Sequence, residues 1–449
     1  MRVILRGVRV IDPLAQLDAV GQDVWIDRGR IVGIYRRIGE GSAPVVDLTP
    51  APGRPPCVLS PGFIDLHAHL RDPGPEGVET FATGARAAAA GGFTSLLAMA
   101  NTDPVRDDPE RVAEARARSE GAAVQVLPVA AVTRGLEGDE LTDLRGCAEA
   151  GAAAFSDDGR NAIKPRLLVQ ALEAADDLGR RVLIHPEDEE MIALANRERE
   201  SVTRCSTRPD TAERSAVQLG LRALTRAERG RLHLQHVSTT AAVELLRRAR
   251  TEGAAVSAEV TPHHLAMWLP FEHEPDPASL RKVNPPLRSE ADRAAVVQAL
   301  REGIIEAVAT DHAPHPLTDK NGDYEAAAPG MIGLETALAV CITLGGMGDA
   351  WLATLVERLT AGPWRILGGS VGVSEPRLRI GEPATCVLFD PAAEWTVGER
   401  PGLSLSSNTP FRGQRLQGRV LFTLAAGEVA YHDSERLAIP AGEGRSVDG

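Results

Sequence analysis

The sequence predicts a (β/α)8 barrel carrying a small β domain built from both ends of the chain. Three observations lead there. Eight short apolar segments, ending near Leu66, Met99, Val129, Phe155, Ile184, Leu234, Val260 and Val308, alternate with amphipathic stretches. The two ends of the chain lack that pattern and show short alternating segments punctuated by glycine and proline. Histidines and aspartates gather just past the apolar segments, where a barrel of this kind carries its chemistry.

In chain order, residues 1–55 contain VILRGVRVID, DVWIDRGRIVGIY and PVVDL, which read as small antiparallel strands. Residues 56–370 hold the barrel, with helical stretches such as ETFATGARAAAA, PRLLVQALEAADDLG and TAAVELLRRARTEG between the strands. Residues 371–449 return to strand-like segments, ATCVLFD and RVLFTLAAGEVAYH, and end in a polar tail from Ser434 that is expected to fray. Neither terminal piece is large enough for a good core alone, so the two are expected to pack as one discontinuous β domain.

Composition narrows the function. With 449 residues the chain can bury a large core, and a net charge of -13 argues against a nucleic-acid or anionic-membrane surface. No apolar run reaches the roughly 18 residues of a membrane span. The N-terminal MRVILRGVRVID alternates like a strand and lacks the apolar stretch of a secretory signal. Cys57, Cys147, Cys205, Cys341 and Cys386 are scattered without a CxxC pair and read as thiols of a reducing, cytoplasmic setting. The basic residues are nearly all arginine; the lysines are Lys164, Lys282 and Lys320.

The strongest chemical signal is PGFIDLHAHLRDPG, residues 61–74. His67 and His69 flank one residue at a strand end, so both imidazoles can face one metal ion. An isolated HxH is weak evidence, but four more strand ends carry ligand-type side chains. AAFSDDG offers Asp157 and Asp158, RVLIHPED offers His185, HLQHVST offers His236 and AVATDHAPH offers Asp311. Each of these alone reads more simply as a polar strand end. Four histidines and carboxylates converging on one barrel mouth suit one or two zinc-like ions. Arg71 follows the HxH motif and brings a guanidinium fork next to it.

Over essentially its whole length the chain resembles the cyclic amidohydrolases, and more narrowly the type I dihydroorotases. The resemblance rests on HAHLRDPG, MANTDPV, FSDDG, HPED, QHVST, EVTPHHL, KVNPPLR, ATDHAPH, PGMIGLET and SNTPFRGQRLQGRV. It implies that His67, His69 and Asp311 hold one zinc ion, that His185 and His236 hold another, and that Asp158 bridges them. Asp158 is preferred to Asp157 because its spacing to His185 fits the family pattern. Relatives such as dihydropyrimidinases and allantoinases bridge their metals with a carboxylated lysine, whereas Lys164 here lies past the glycine turn, at the expected start of the next helix. The resemblance further implies Asn101 and His315 as contacts to the substrate carboxylate, beside Arg71. Asn284 and the Pro329–Gly330 backbone become ring contacts, and His69 serves both metal and substrate. His263 and His264 are assigned supporting roles.

The reaction so implied is the reversible cyclisation of N-carbamoyl-L-aspartate to L-dihydroorotate, with Asp311 as the proton shuttle. A homodimer is expected, and association with aspartate transcarbamoylase is compatible with the resemblance. A hydantoinase-type activity and a silent scaffolding subunit are the rival readings; the lack of a placed bridging lysine disfavours the first and the full ligand set the second. The segment HPLTDKNGDYEAAAPG, long, polar and glycine-bearing, predicts a mobile lid. Ala100 stands where relatives commonly have proline, and Pro329 where they commonly have an aromatic.

Overall fold

A computed structural model describes residues 2–39, 41, 43–197, 208–269, 278–369 and 371–439. Cys205 and the last ten residues of the tail fall outside that set. Two eight-stranded sheets organise the chain. The first contains β1 (Arg2–Asp12), β2 (Leu17–Asp27), β3 (Arg30–Tyr35), β4 (Val45–Asp47) and β5 (Val58–Pro61). The second runs through β6 (Phe63–Ala68), β7 (Phe93–Ala98), β8 (Gln125–Ala130), β9 (Ala154–Ser156), β10 (Val182–Ile184), β11 (Leu232–Leu234), β12 (Val256–Val260) and β13 (Ala307–Val308). The chain then returns to the first sheet with β14 (Cys386–Thr396), β15 (Arg415–Ala425) and β16 (Glu428–His432).

Strands β6 to β13 pair in parallel, each with the next in sequence. A parallel bridge between Ala68 and His312, with His69 N–H donating to the His312 carbonyl at 2.8 Å, closes the ring. The eight strands end within two residues of the positions expected from the apolar segments. Crossover helices cover the barrel for the usual reason, an apolar stripe at helical spacing. Helix Pro165–Asp177 buries Leu168, Ala171, Leu172 and Ala175, and helix Thr240–Thr251 buries Ala242, Val243, Leu246 and Ala249. Their starts are set by caps: Thr239 and Ser289 each accept a backbone N–H three residues on, and Thr80 with Thr83 forms a capping box. Under the barrel floor, Ile64, Leu66, Leu97 and Val129 pack on Ile366 and Leu367 of the last helix and on Val371 and Val373 beyond it.

The mixed sheet joins the two chain ends, because β5 pairs with β1 on one side and with β14 on the other. Its core is Val3, Leu5, Val24, Ile26 and Leu59 against Cys386, Leu388 and Phe422. The antiparallel expectation holds for β1, β2 and β3, whereas β4 and β5 lie parallel to β1. Pairing sense depends on how the connection crosses over, which alternation within a strand does not encode. Gly62 alone separates β5 from β6; a Cβ there would stand 2.2 Å from Thr94. Among the described residues no helix is long and apolar enough to cross a membrane.

Candidate metal centre

The C-terminal ends of five barrel strands converge on one buried cluster. On β6 the pairs Asp65–Leu96 and Ala68–Ala98 leave one extra residue, a bulge that breaks alternation beside His67 and re-aims its ring. His67 Nε2 lies 3.3 Å from Asp158 Oδ1 and 3.6 Å from Asp311 Oδ1. His69 Nε2 lies 3.3 Å from Asp158 Oδ2 and 3.1 Å from Asp311 Oδ1. Asp158 Oδ1 also faces His185 Nδ1 at 3.4 Å and His236 Nε2 at 3.7 Å, and those two nitrogens are 2.8 Å apart. Two groups able to hold an ion result: His67, His69 and Asp311, and His67, Asp158 and His236.

The donor set fits metal ions on an observation that hydrogen bonding does not explain. His67 Nε2 and Asp158 Oδ1 are both buried, and neither has a hydrogen-bond partner. Buried polar atoms of that kind are costly unless something satisfies them, and a divalent ion held by these groups would do so. The electrostatics agree. Burial alone would raise the Asp158 pKa, but His67 and the facing imidazoles hold it well below the carboxylate range. The same balance, won by His67 and His69, keeps Asp311 ionised. Three of the seven described non-glycine residues with positive φ sit here: Arg71 at 51°, His236 at 31° and Asp311 at 46°. Such backbone costs about 1–3 kcal/mol per residue and persists where function fixes it.

The nitrogens facing away from the cluster are oriented too. His67 Nδ1 meets Glu259 Oε1 at 2.8 Å, His69 Nδ1 meets Asn101 Oδ1 at 2.8 Å, and His185 Nε2 meets Glu187 Oε2 at 3.0 Å. Glu259 Oε2 in turn lies 3.0 Å from His233 Nε2, and His233 Nδ1 lies 2.9 Å from Ser257 Oγ. Asp65 accepts N–H bonds from His67 and Thr310, tying β6 to the strand end that carries Asp311. Sequence reasoning missed Glu259, Glu187, His233 and Asp65. A carboxylate inside an apolar strand, as in VSAEV, was the available signal for Glu259.

Asp157 points elsewhere, accepting the N–H groups of Val132 at 2.7 Å and Thr133 at 3.0 Å. Burial pushes its carboxyl up to about 6 despite those bonds. Lys164 precedes helix Pro165–Asp177 and pairs in solvent with Asp139 at 2.8 Å, away from the cluster. His264 bridges Thr261 Oγ1 and the Pro285 carbonyl at 2.8 and 3.0 Å, and so positions the segment carrying Asn284. His263 is buried with Nε2 lacking a partner.

Of the expected substrate contacts, Arg71, His315, Pro329 and Gly330 come together. Arg71 Nη2 stands 3.4 Å from His315 Nε2, and that nitrogen is 2.9 Å from the Pro329 carbonyl. Burial, with Arg71 nearby, lowers the His315 pKa to about 4, so the ring is neutral and its Nε2–H can donate to Pro329. Asn101 has its amide engaged by His69 and, at 3.4 Å, by Asp158 Oδ2. It supports the metal ligands directly, a role its place in MANTDPV did not disclose.

An eight-stranded parallel barrel with this cluster at its mouth defines a metal-dependent hydrolase of the amidohydrolase type. The profile of the family described as dihydro-orotase-like matches residues 57–203. The chain is 40% identical over 437 residues to a dihydroorotase of Anaeromyxobacter dehalogenans, covering 96% of this chain and 98% of that one. It is 36% identical over 437 residues to the dihydroorotase of Aquifex aeolicus, covering 96% and 100%. It therefore belongs to the dihydroorotase family. The L-hydantoinase (dihydropyrimidinase) of Arthrobacter aurescens shares the fold, with a TM-score of 0.82 at 24% identity over 96% of both chains. The dihydropyrimidinase of Brevibacillus agri shares it too, with a TM-score of 0.81 at 23% identity over 96% of this chain and 95% of that one.

Proposed function

We propose that this chain interconverts N-carbamoyl-L-aspartate and L-dihydroorotate at a centre of two zinc ions. The observation that carries the reading is Asp158, set among four imidazoles with a buried oxygen that lacks a hydrogen-bond partner. His67, His69 and Asp311 would hold one ion, His185 and His236 the other, with Asp158 shared. When bound, such ions supply Lewis acidity that activates water and stabilises negative charge on the amide oxygen.

The chain's own residues do the rest. Arg71, its long contacts at 3.4 Å to Pro314 O and His315 leaving the fork able to turn outward, takes the substrate carboxylate bidentately. His315, neutral, holds Pro329 and with it the wall against which the ring lies. In hydrolysis Asp311, ionised in the cluster, accepts the proton of the attacking water and passes it to the ring nitrogen as the carbon–nitrogen bond breaks. In cyclisation it takes a proton from the carbamoyl nitrogen, which attacks the side-chain carboxyl carbon. One carboxyl oxygen then leaves as water, carrying that proton and one from solvent.

The test is purified protein reconstituted with zinc and assayed on dihydroorotate, dihydrouracil and allantoin, with metal analysis of the same sample. Turnover of dihydroorotate alone, with two equivalents of metal, supports the reading. Turnover of dihydrouracil or allantoin in its place refutes it.

A further inference from the structure

Lys320 is 1% exposed, and its ammonium is enclosed by backbone oxygens from two separate segments. Nζ lies 3.1 Å from Lys282 O, 2.7 Å from Ala328 O and 2.9 Å from Gly330 O. An ammonium has three N–H donors, and three acceptors converge on it. Burying a lysine is costly, and these three bonds are what offset the lost hydration. The same segments are joined again around it. Gly330 N–H donates to Lys282 O at 2.8 Å, Ala328 N–H to Asp319 O at 2.8 Å, and Asn408 Nδ2 reaches Gly330 O at 3.2 Å and Ala313 O at 3.0 Å. Gly330 has φ 133°, and a Cβ on it would stand 2.7 Å from Ala313 Cβ, so this backbone lies hard against the segment that follows Asp311.

Composition sharpens the point. Of 49 basic residues only three are lysines, and Lys320 and Lys282 meet here. In a chain that uses arginine almost everywhere, lysine stands where three carbonyls converge on one point. A planar guanidinium fork would match two parallel acceptors and miss that arrangement.

We propose that Lys320 is a positioning residue for substrate binding: its ammonium clamps the 282–284 and 328–330 segments together, building the wall that contacts the substrate ring before substrate arrives. The inference rests on the dihydroorotase reading, which places Asn284, Pro329 and Gly330 against the ring. It replaces a lid that orders on binding with a preformed surface.

The test compares wild-type and Lys320→Met proteins, both loaded with zinc. Methionine keeps the length and apolar contacts of the stem and deletes the donors. KM for dihydroorotate is expected to rise at least tenfold, with kcat and bound metal within twofold of wild type. An unchanged KM in a folded, metal-loaded variant overturns the proposal, and so does a loss confined to kcat. If the wild type itself is inactive on dihydroorotate, the functional reading has failed instead. A second measurement needs no variant: in ligand-free wild type, the Ala328 and Gly330 amides should exchange hydrogen as slowly as barrel amides. Exchange at the rate of an unstructured chain overturns the clamp.

Discussion

Replacing Glu259 by glutamine isolates the contribution of one buried charge to metal binding. The carboxylate is fully buried and spans two imidazoles, His67 Nδ1 at 2.8 Å and His233 Nε2 at 3.0 Å. Burial would raise its pKa, but His233 and His67 bring it down to about 2, so it is an anion at any working pH. Glutamine is nearly isosteric. Its amide oxygen can still accept from His67, and its NH2 can donate to His233 if that ring changes tautomer and the Ser257 hydroxyl turns. The fold is therefore retained and the charge is lost. Removing a carboxylate that orients a ligating histidine typically costs about 10- to 100-fold in metal affinity, or roughly 1.4–2.8 kcal/mol. Competition against a chromophoric chelator, at fixed pH, reads this directly, and melting of the metal-free protein controls for folding. Affinity within twofold of wild type, with unchanged melting, would refute the assignment of Glu259 as the residue that orients His67.

Asp311→Asn should nearly abolish turnover while leaving dihydroorotate binding largely intact; near-wild-type turnover removes Asp311 from the proton transfer. Arg71→Ala should raise KM by about 10- to 100-fold, the worth of a charge-assisted hydrogen-bonded pair, and an unchanged KM sinks its carboxylate role. Arg106 is buried and donates to the Ala98, Met99 and Val129 carbonyls at 3.0, 3.3 and 3.3 Å. Arg106→Met should thus destabilise the fold by at least about 1–3 kcal/mol in denaturant titration, and a midpoint equal to wild type contradicts that.

Much of this molecule was legible in its sequence, for identifiable reasons. Barrel strands are short apolar runs bounded by turns, and all eight appear near their expected ends. Side chains that serve a barrel mouth must project from strand ends, which is why His67, His69, Asp158, His185, His236 and Asp311 could be picked out and why they lie together. Lys164 was expected to be badly placed for a metal bridge, and it is engaged with Asp139 in solvent. The residues behind the cluster were not legible. Glu259 sits inside an apolar strand, which signals burial but not a partner, and for Glu259, Glu187 and Asp65 alike only the folded barrel shows the groups they face. The resemblance assigns Asn101 to the substrate carboxylate, and its further contact with His69, 32 residues away, is one that the sequence does not show. Lys320 sits in a polar stretch that resembles a free loop, and its three acceptors are backbone atoms, which carry no residue identity at all.

Strands β5 and β6 belong to different sheets, yet only Gly62 lies between them. His67 stands six residues past Pro61, roughly 20 Å of extended chain, so the small sheet is the footing on which two of the ligating side chains are mounted. This has a bearing on inheritance and recombination. Chimaeras between related enzymes should tolerate exchange points in the crossover helices, where each parent brings a complete strand and its cap. An exchange between Val58 and Ala68 would set one parent's ligand strand on the other's footing, with Val58 and Leu59 seated in a sheet that evolved around different neighbours. The two sheets are therefore expected to descend together, as one heritable unit.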